Sequence, residues 1–139
     1  MFSIKRWVFA AVLISIPGLA VAWRAWNRLE VYPVSKTVFE VIGEPGSGAA
    51  DYWCGAGDFA ISVLRSKVAD RVYIWRAIGG SVNKPGYKAV QFSLKPPADT
   101  SPSPGYSLSV KATGDNLTAA AARQYCFGQM DKRCTRLGC

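Results

Sequence analysis

The chain has 139 residues, a net charge of +8, and is 50% hydrophobic and 19% charged. That balance excludes global disorder and leaves room for one packed domain rather than two. Histidine is absent, which excludes a Ser-His-Asp triad, a Cys-His pair and the usual histidine-bearing metal clusters.

The N-terminus opens with Lys5 and Arg6. An apolar run follows from Trp7 to Ile16, then Pro17-Gly18, then the small-residue triplet Ala20-Val21-Ala22. This order is that of a secretory signal peptide, residues 1–22, with an A-x-A cleavage site. It predicts that everything from about Trp23 onward works outside the cytoplasm, in a periplasmic or extracellular space. The rival reading keeps the segment as a membrane anchor, with Trp7 on one side and Trp23 and Trp26 on the other as an aromatic belt. Length favours cleavage: Trp7 to Ala22 makes about 24 Å of helix against a hydrocarbon core of about 30 Å. No cysteine stands at the end of the apolar run, which argues against a lipoprotein.

Residues 23–36 read as a connector turning into an edge strand: Leu29-Glu30-Val31-Tyr32 is β-prone and Pro33 interrupts it. Thr37 to Ile42 is a stronger strand, ended by the breakers Gly43 to Gly48. The clearest helix comes next. Ala50, Trp53 or Cys54, Gly57, Ile61 and Leu64 form its apolar stripe, and Asp51, Asp58, Ser62 and Arg65 its polar flank. Tyr52 and Phe59 fall on the opposite side, so that face is either covered too or an exposed aromatic patch.

From Arg71 the period changes to two. Strands are expected at Arg71–Ile78, Lys88–Leu94 and Tyr106–Lys111, joined by loops too short for crossover helices, hence as an antiparallel meander. Gly114-Asp115-Asn116 then starts a second helix, with Asp115 or Asn116 as cap and Gly128 as stop. Residues 129–139 are a basic tail holding two cysteines. The order β-β-α-β-β-β-α predicts an α+β fold, a two-layer sandwich over residues 37–128, with an antiparallel sheet of about four to five strands and both helices on one face.

An even number of cysteines in an exported chain reads as two disulfides among Cys54, Cys126, Cys134 and Cys139. Both helices carry one, Cys54 on a core stripe and Cys126 near a helix end. If they share a sheet face, Cys54–Cys126 is reasonable, which leaves Cys134–Cys139 to clip the tail. Cys54–Cys134 with Cys126–Cys139 ranks second. Zinc would want closer cysteine pairs, and nothing in the sequence implies a cofactor.

Acid–base chemistry would fall to carboxylates. Asp51 and Asp58 share a helix flank about 10 Å apart along the axis, and the bland reading makes both solvated surface charges. Gly43-x-x-Gly46-x-Gly48 before a helix lacks the Lys-Ser/Thr of a phosphate loop and reads as a turn. Asn116-Leu117-Thr118 matches a glycosylation sequon at a helix start. The aromatic content is more suggestive. Most of Tyr52, Trp53, Phe59, Tyr73 and Trp75 should be core, but strict alternation puts Tyr73 and Trp75 on the sheet face opposite Val72 and Ile74, which leaves one of those two sets open to exposure. An exposed Tyr73/Trp75 face beside Arg71 and Arg76 would suit a protein or glycan. Nucleic acid fits poorly, because the basic residues are scattered.

The sequence therefore predicts an exported, disulfide-stabilised, non-catalytic domain with a protein or other envelope partner. The alternative is a membrane-anchored accessory subunit touching the bilayer through residues 1–28. An envelope hydrolase using carboxylates ranks last.

Overall fold

Strand formers and helix formers segregate along the chain, and the backbone follows them. The computed structural model describes residues 21–99 and 108–137, the stretch from 129 on by its backbone only. The strands are β1 (Trp23–Arg24), β2 (Glu30–Pro33), β3 (Val38–Ile42), β4 (Arg71–Gly80), β5 (Lys88–Ser93) and β6 (Asn116–Thr118). The helices are α1 (Ala49–Ser62) and α2 (Ala119–Leu137). The strands form one six-stranded sheet in the order β1-β2-β3-β5-β4-β6, with every neighbouring pair antiparallel. The expected signal peptide, residues 1–22, lies outside the described residues except for Val21 and Ala22. No helix among the described residues is long and apolar enough to cross a membrane.

Alternation in the strands decides where the core sits. Val41 pairs with Val90, and Phe39 with Phe92, which in turn pairs with Ile74. These side chains turn to one sheet face and pack with Trp53, Ala56, Phe59, Ala119 and Ala122 of the helices. Phe39 and Phe59 rings lie 4.6 Å apart, and Trp53 meets Phe92 edge-on at 5.1 Å. Each buried valine, isoleucine or phenylalanine among them contributes about 1.5–3 kcal/mol.

The helices are antiparallel to each other. Cys54 faces Cys126, and one turn on in α1 Gly57 faces Ala122 and Arg123, one turn back in α2. The bridge Cys54–Cys126 is present, with Cα atoms 4.8 Å apart. The companion bridge, Cys134–Cys139, falls outside the described side chains. α1 is buried at every position from Tyr52 to Ala60, so it is a central helix and not one with a wet flank. The doubt over Tyr52 and Phe59 resolves in favour of burial, and Asp58 is buried with them.

Several sequence expectations change. The sheet has six strands, because Trp23–Arg24 adds a short β1. The strand expected at Tyr106–Lys111 does not form over its described part, Leu108–Lys111. Its carbonyls are used elsewhere: Ser109 O accepts from the Trp53 indole at 3.0 Å, and Val110 O from Ile78 N–H at 3.0 Å. Leu108, expected inward, is 42% exposed. The free edge of β4 takes Asn116–Thr118 instead, which was expected to start the helix. The cap of α2 is Thr118, whose hydroxyl accepts the Ala121 N–H at 3.2 Å. Gly128 does not stop α2. A terminating glycine takes a left-handed conformation; Gly46, Gly86 and Gly114 do, while Gly128 stays helical.

Candidate functional site

Four side chains of the helix-free sheet face stand in one cross-strand row. Tyr32 pairs with Glu40, Glu40 with Gln91 and Gln91 with Arg76. Arg76 reaches this row through an irregularity. Ile74 pairs with Phe92 and Arg76 with the adjacent Gln91, so Trp75 is the extra residue of a β-bulge. Strict alternation would have put Arg76 on the core face; the bulge turns it out beside Tyr73.

Glu40 is fully buried in this row. The loop after β4 closes over it. The Ser81 hydroxyl donates to Oε1 at 2.6 Å, Asn83 donates its backbone N–H and its side-chain amide to the same oxygen, each at 2.9 Å, and Val82 N–H reaches Oε2 at 3.3 Å. Burial alone would raise the Glu40 pKa, but the Ser81 and Asn83 donors outweigh it and hold the carboxyl below its ordinary value. Glu30, beside it on β2, is also lowered, chiefly by its hydrogen bond from Lys84 at 3.2 Å. Tyr32 donates to Glu30 as well, and Lys84 sits 4.3 Å over the Tyr87 ring.

Both carboxylates have folded pKa values below their unfolded ones. Each therefore adds stability that is fully present above the ordinary carboxylate range and is lost as pH falls through the lowered folded value. Urea midpoints measured from pH 7 to pH 3 should fall. Glu40→Gln, which keeps the shape but not the charge, should cost about 2 kcal/mol at pH 7 and flatten the fall. An equally steep fall in the variant would show that Glu40 does not drive it.

The four candidate surface residues cluster along β4. Arg71 is exposed and donates from Nη1 to Asn116 Oδ1 at 2.9 Å. Tyr73 is half-buried opposite Ser93 and Asn116. Trp75 is 37% exposed in the bulge and Arg76 is exposed. The structure thus places all four on one strand, with Tyr73 and Arg76 sharing the helix-free face. The other aromatic candidates, Trp53 included, are core.

The carboxylates expected on a solvated flank have structural partners. Asp51 Oδ2 accepts the Gly48 N–H at 2.8 Å, which ties down the glycine-rich turn. Asp58 accepts Trp26 N–H at 2.9 Å and the Ser62 hydroxyl at 3.1 Å, and pairs with Arg123 Nε at 3.3 Å. Asn116 of the sequon is buried in β6, which closes that site to a glycan. Clefts open on the surface among the described residues, two of which matter here. One, about 350 Å³, has Phe39, Phe59 and Leu64 in its wall with Lys36 and Lys95. The other, about 330 Å³, lies between the start of α1 and the 108–111 segment. Neither is lined by Asp or Glu. Among the described residues no three His, Cys, Asp or Glu side chains gather as metal ligands.

Sequence reasoning missed Glu40 and Asp58 as anchors. For Glu40 the signal was present, a single carboxylate in the middle of an otherwise apolar strand. For Asp58 it was not, since two of its partners lie on other segments. Comparison with protein-family models, with curated proteins and with solved structures gives no match.

Proposed function

We propose that this chain is an exported domain that does no chemistry of its own and binds a macromolecular partner in the cell envelope. The observation that carries the reading is the Cys54–Cys126 bridge in the helix seam. A core held by a disulfide suits an oxidising compartment, in keeping with the leader-like start of the chain. In this reading the fold is a two-layer body whose helices cover one sheet face and whose β4 strand presents the other. Trp75 in its bulge, Tyr73, and the guanidinium groups of Arg71 and Arg76 supply an amphipathic ring surface with positive charge, the composition of an interface centre. The buried carboxylates Glu40 and Asp58 support a non-catalytic reading, because structural donors already engage both.

A photo-crosslinking residue in place of Trp75, in cells, should give one discrete adduct that Arg71→Gln plus Arg76→Gln removes. The same probe at Val68, exposed on another segment, should give none. No adduct at position 75, or equal adducts at both positions, overturns the partner surface. Alkylation of native protein should leave Cys54 and Cys126 unlabelled until a reductant is added. Four labelled thiols without reductant would remove the basis for export.

The alternative, a single-span accessory subunit, is favoured by the aromatic and basic residues directly after the apolar run: Trp23, Arg24, Trp26 and Arg28. Intact mass of protein isolated from its cell separates the two readings, since loss of residues 1–22 excludes the anchor.

A further inference from the structure

We propose that the cleft between the end of α1 and the shared end of β3 and β5 binds a free medium-chain fatty acid, with its carboxylate between Lys36 and Lys95. The cleft holds about 350 Å³, at the small end of the range of about 300–1,000 Å³ for ligand sites. Its deepest wall is aromatic. Phe39 and Phe59, with rings 4.6 Å apart, are only 2% and 6% exposed. Leu64, 41% exposed, lies nearer the mouth. Backbone contacts fix the surrounding segments. Ser35 Oγ accepts the Thr37 and Val38 N–H groups at 3.3 and 3.2 Å, which holds the β2–β3 turn. Ser93 Oγ accepts the Lys95 N–H at 3.1 Å. At the end of α1, Leu64 N–H donates to Phe59 O at 3.1 Å and Ser66 N–H to Ala60 O at 2.9 Å, with Arg65 between them at a φ of 56°. The site is therefore preformed on three elements.

Charge selects the head of the ligand. Lys36 and Lys95 are exposed and lie two residues beyond Val38 and Ser93, the last pair of the β3–β5 ladder. Two like charges thus share one mouth. Neither is ion-paired among the described residues. No Asp or Glu lines the cleft, and Asp99, four residues past Lys95, is not in its wall. Like charges held this close repel, and a carboxylate between them turns that repulsion into attraction. Depth selects the tail. A protein face or a bilayer could reach Leu64, but not rings as recessed as Phe39 and Phe59. A single alkyl chain can enter beside them, and the volume suits one chain rather than two.

This inference goes beyond the β4 partner surface and does not rest on it. The test titrates decanoate, below the concentration at which it forms micelles, into the full chain in the form its cell accumulates, labelled with nitrogen-15. The amides of Thr37, Phe39, Leu64 and Lys95 should shift together and saturate. Octanoate, two methylenes shorter, should bind about fifteenfold more weakly, at about fourfold per methylene. Decanol, which keeps the chain without the charge, should bind about tenfold more weakly than decanoate. Lys36→Gln with Lys95→Gln should weaken decanoate binding by the same factor, at about threefold for each exposed ammonium. Leu64→Asp, which sets a negative charge near the mouth at an exposed position, should weaken it at least as much while the thermal melt stays near wild type. No saturable shift with decanoate overturns the proposal, as do shifts centred away from these residues or unchanged binding in Leu64→Asp. Decanol binding as tightly as decanoate overturns the place given to the carboxylate. Phosphatidylglycerol vesicles that shift these amides where decanoate does not would overturn the free acid as the occupant. Loss of the position-75 adduct with decanoate binding retained would sink only the β4 reading, so the two failures are distinguishable.

Discussion

Replacing Cys54 and Cys126 together by alanine should lower stability by about 4 kcal/mol at 25 °C. The melting temperature should drop by on the order of 20 °C for a domain of this size. The magnitude follows from the loop: the bridged residues are 72 apart in sequence, so the cross-link removes a large part of the unfolded chain's freedom. Both sulfurs are buried in the seam between α1 and α2, and truncation also leaves a small void there. The fold should survive, because Ala119 and Ala122 still dock α2 into the core. Thermal melts of wild type with and without excess reductant, beside the double variant, check this. Reduced wild type should melt close to the variant. Oxidised wild type and variant melting within a few degrees of each other would show that the seam, not the sulfur link, carries the helix pair.

What was legible in the sequence is what short-range pattern encodes. β3 was readable because branched and aromatic residues occupy four of its five positions. α1 was readable because small and apolar residues recur at helical spacing, and Cys54–Cys126 because each cysteine belonged to a helix that had to cover the same sheet. The failures came where a distant partner decided the matter. Ser107-Leu108-Ser109-Val110 alternates like a strand, yet the Trp53 indole and Ile78 N–H take its carbonyls. Asn116 looked like a cap, but Tyr73 of β4 claims it as a strand residue. Alternation through Tyr73 and Trp75 ignored a bulge that only the register with Gln91 and Phe92 exposes. Of the candidate surface, the strand and its residues were readable and their facing was not.

Gly57→Ala should be the most damaging conservative change in either helix, at about 3 kcal/mol. Alanine is intrinsically the better helix former by about 1 kcal/mol, so propensity alone predicts the opposite sign. Packing decides. A Cβ at Gly57 would lie 2.8 Å from both the carbonyl carbon and the Cβ of Ala122, and closer still to the Arg123 amide nitrogen. Backbone cannot swing aside as a flexible side chain can, so the helices would have to move apart. That movement pulls Arg123 from Asp58 and works against the Cys54–Cys126 link in the same seam. Two further glycines provide the scale. At Gly55 the new Cβ would meet Val41 Cγ1 at 2.7 Å, a side chain with some freedom to turn, and the cost should be smaller. At Gly128 nothing among the described residues lies within 4 Å, so Gly128→Ala should raise stability by up to about 1 kcal/mol. Urea midpoints should therefore rank Gly57→Ala below Gly55→Ala, wild type next, and Gly128→Ala highest. A Gly57→Ala protein as stable as wild type would mean that α1 and α2 do not approach this closely, and the antiparallel seam described above would be wrong.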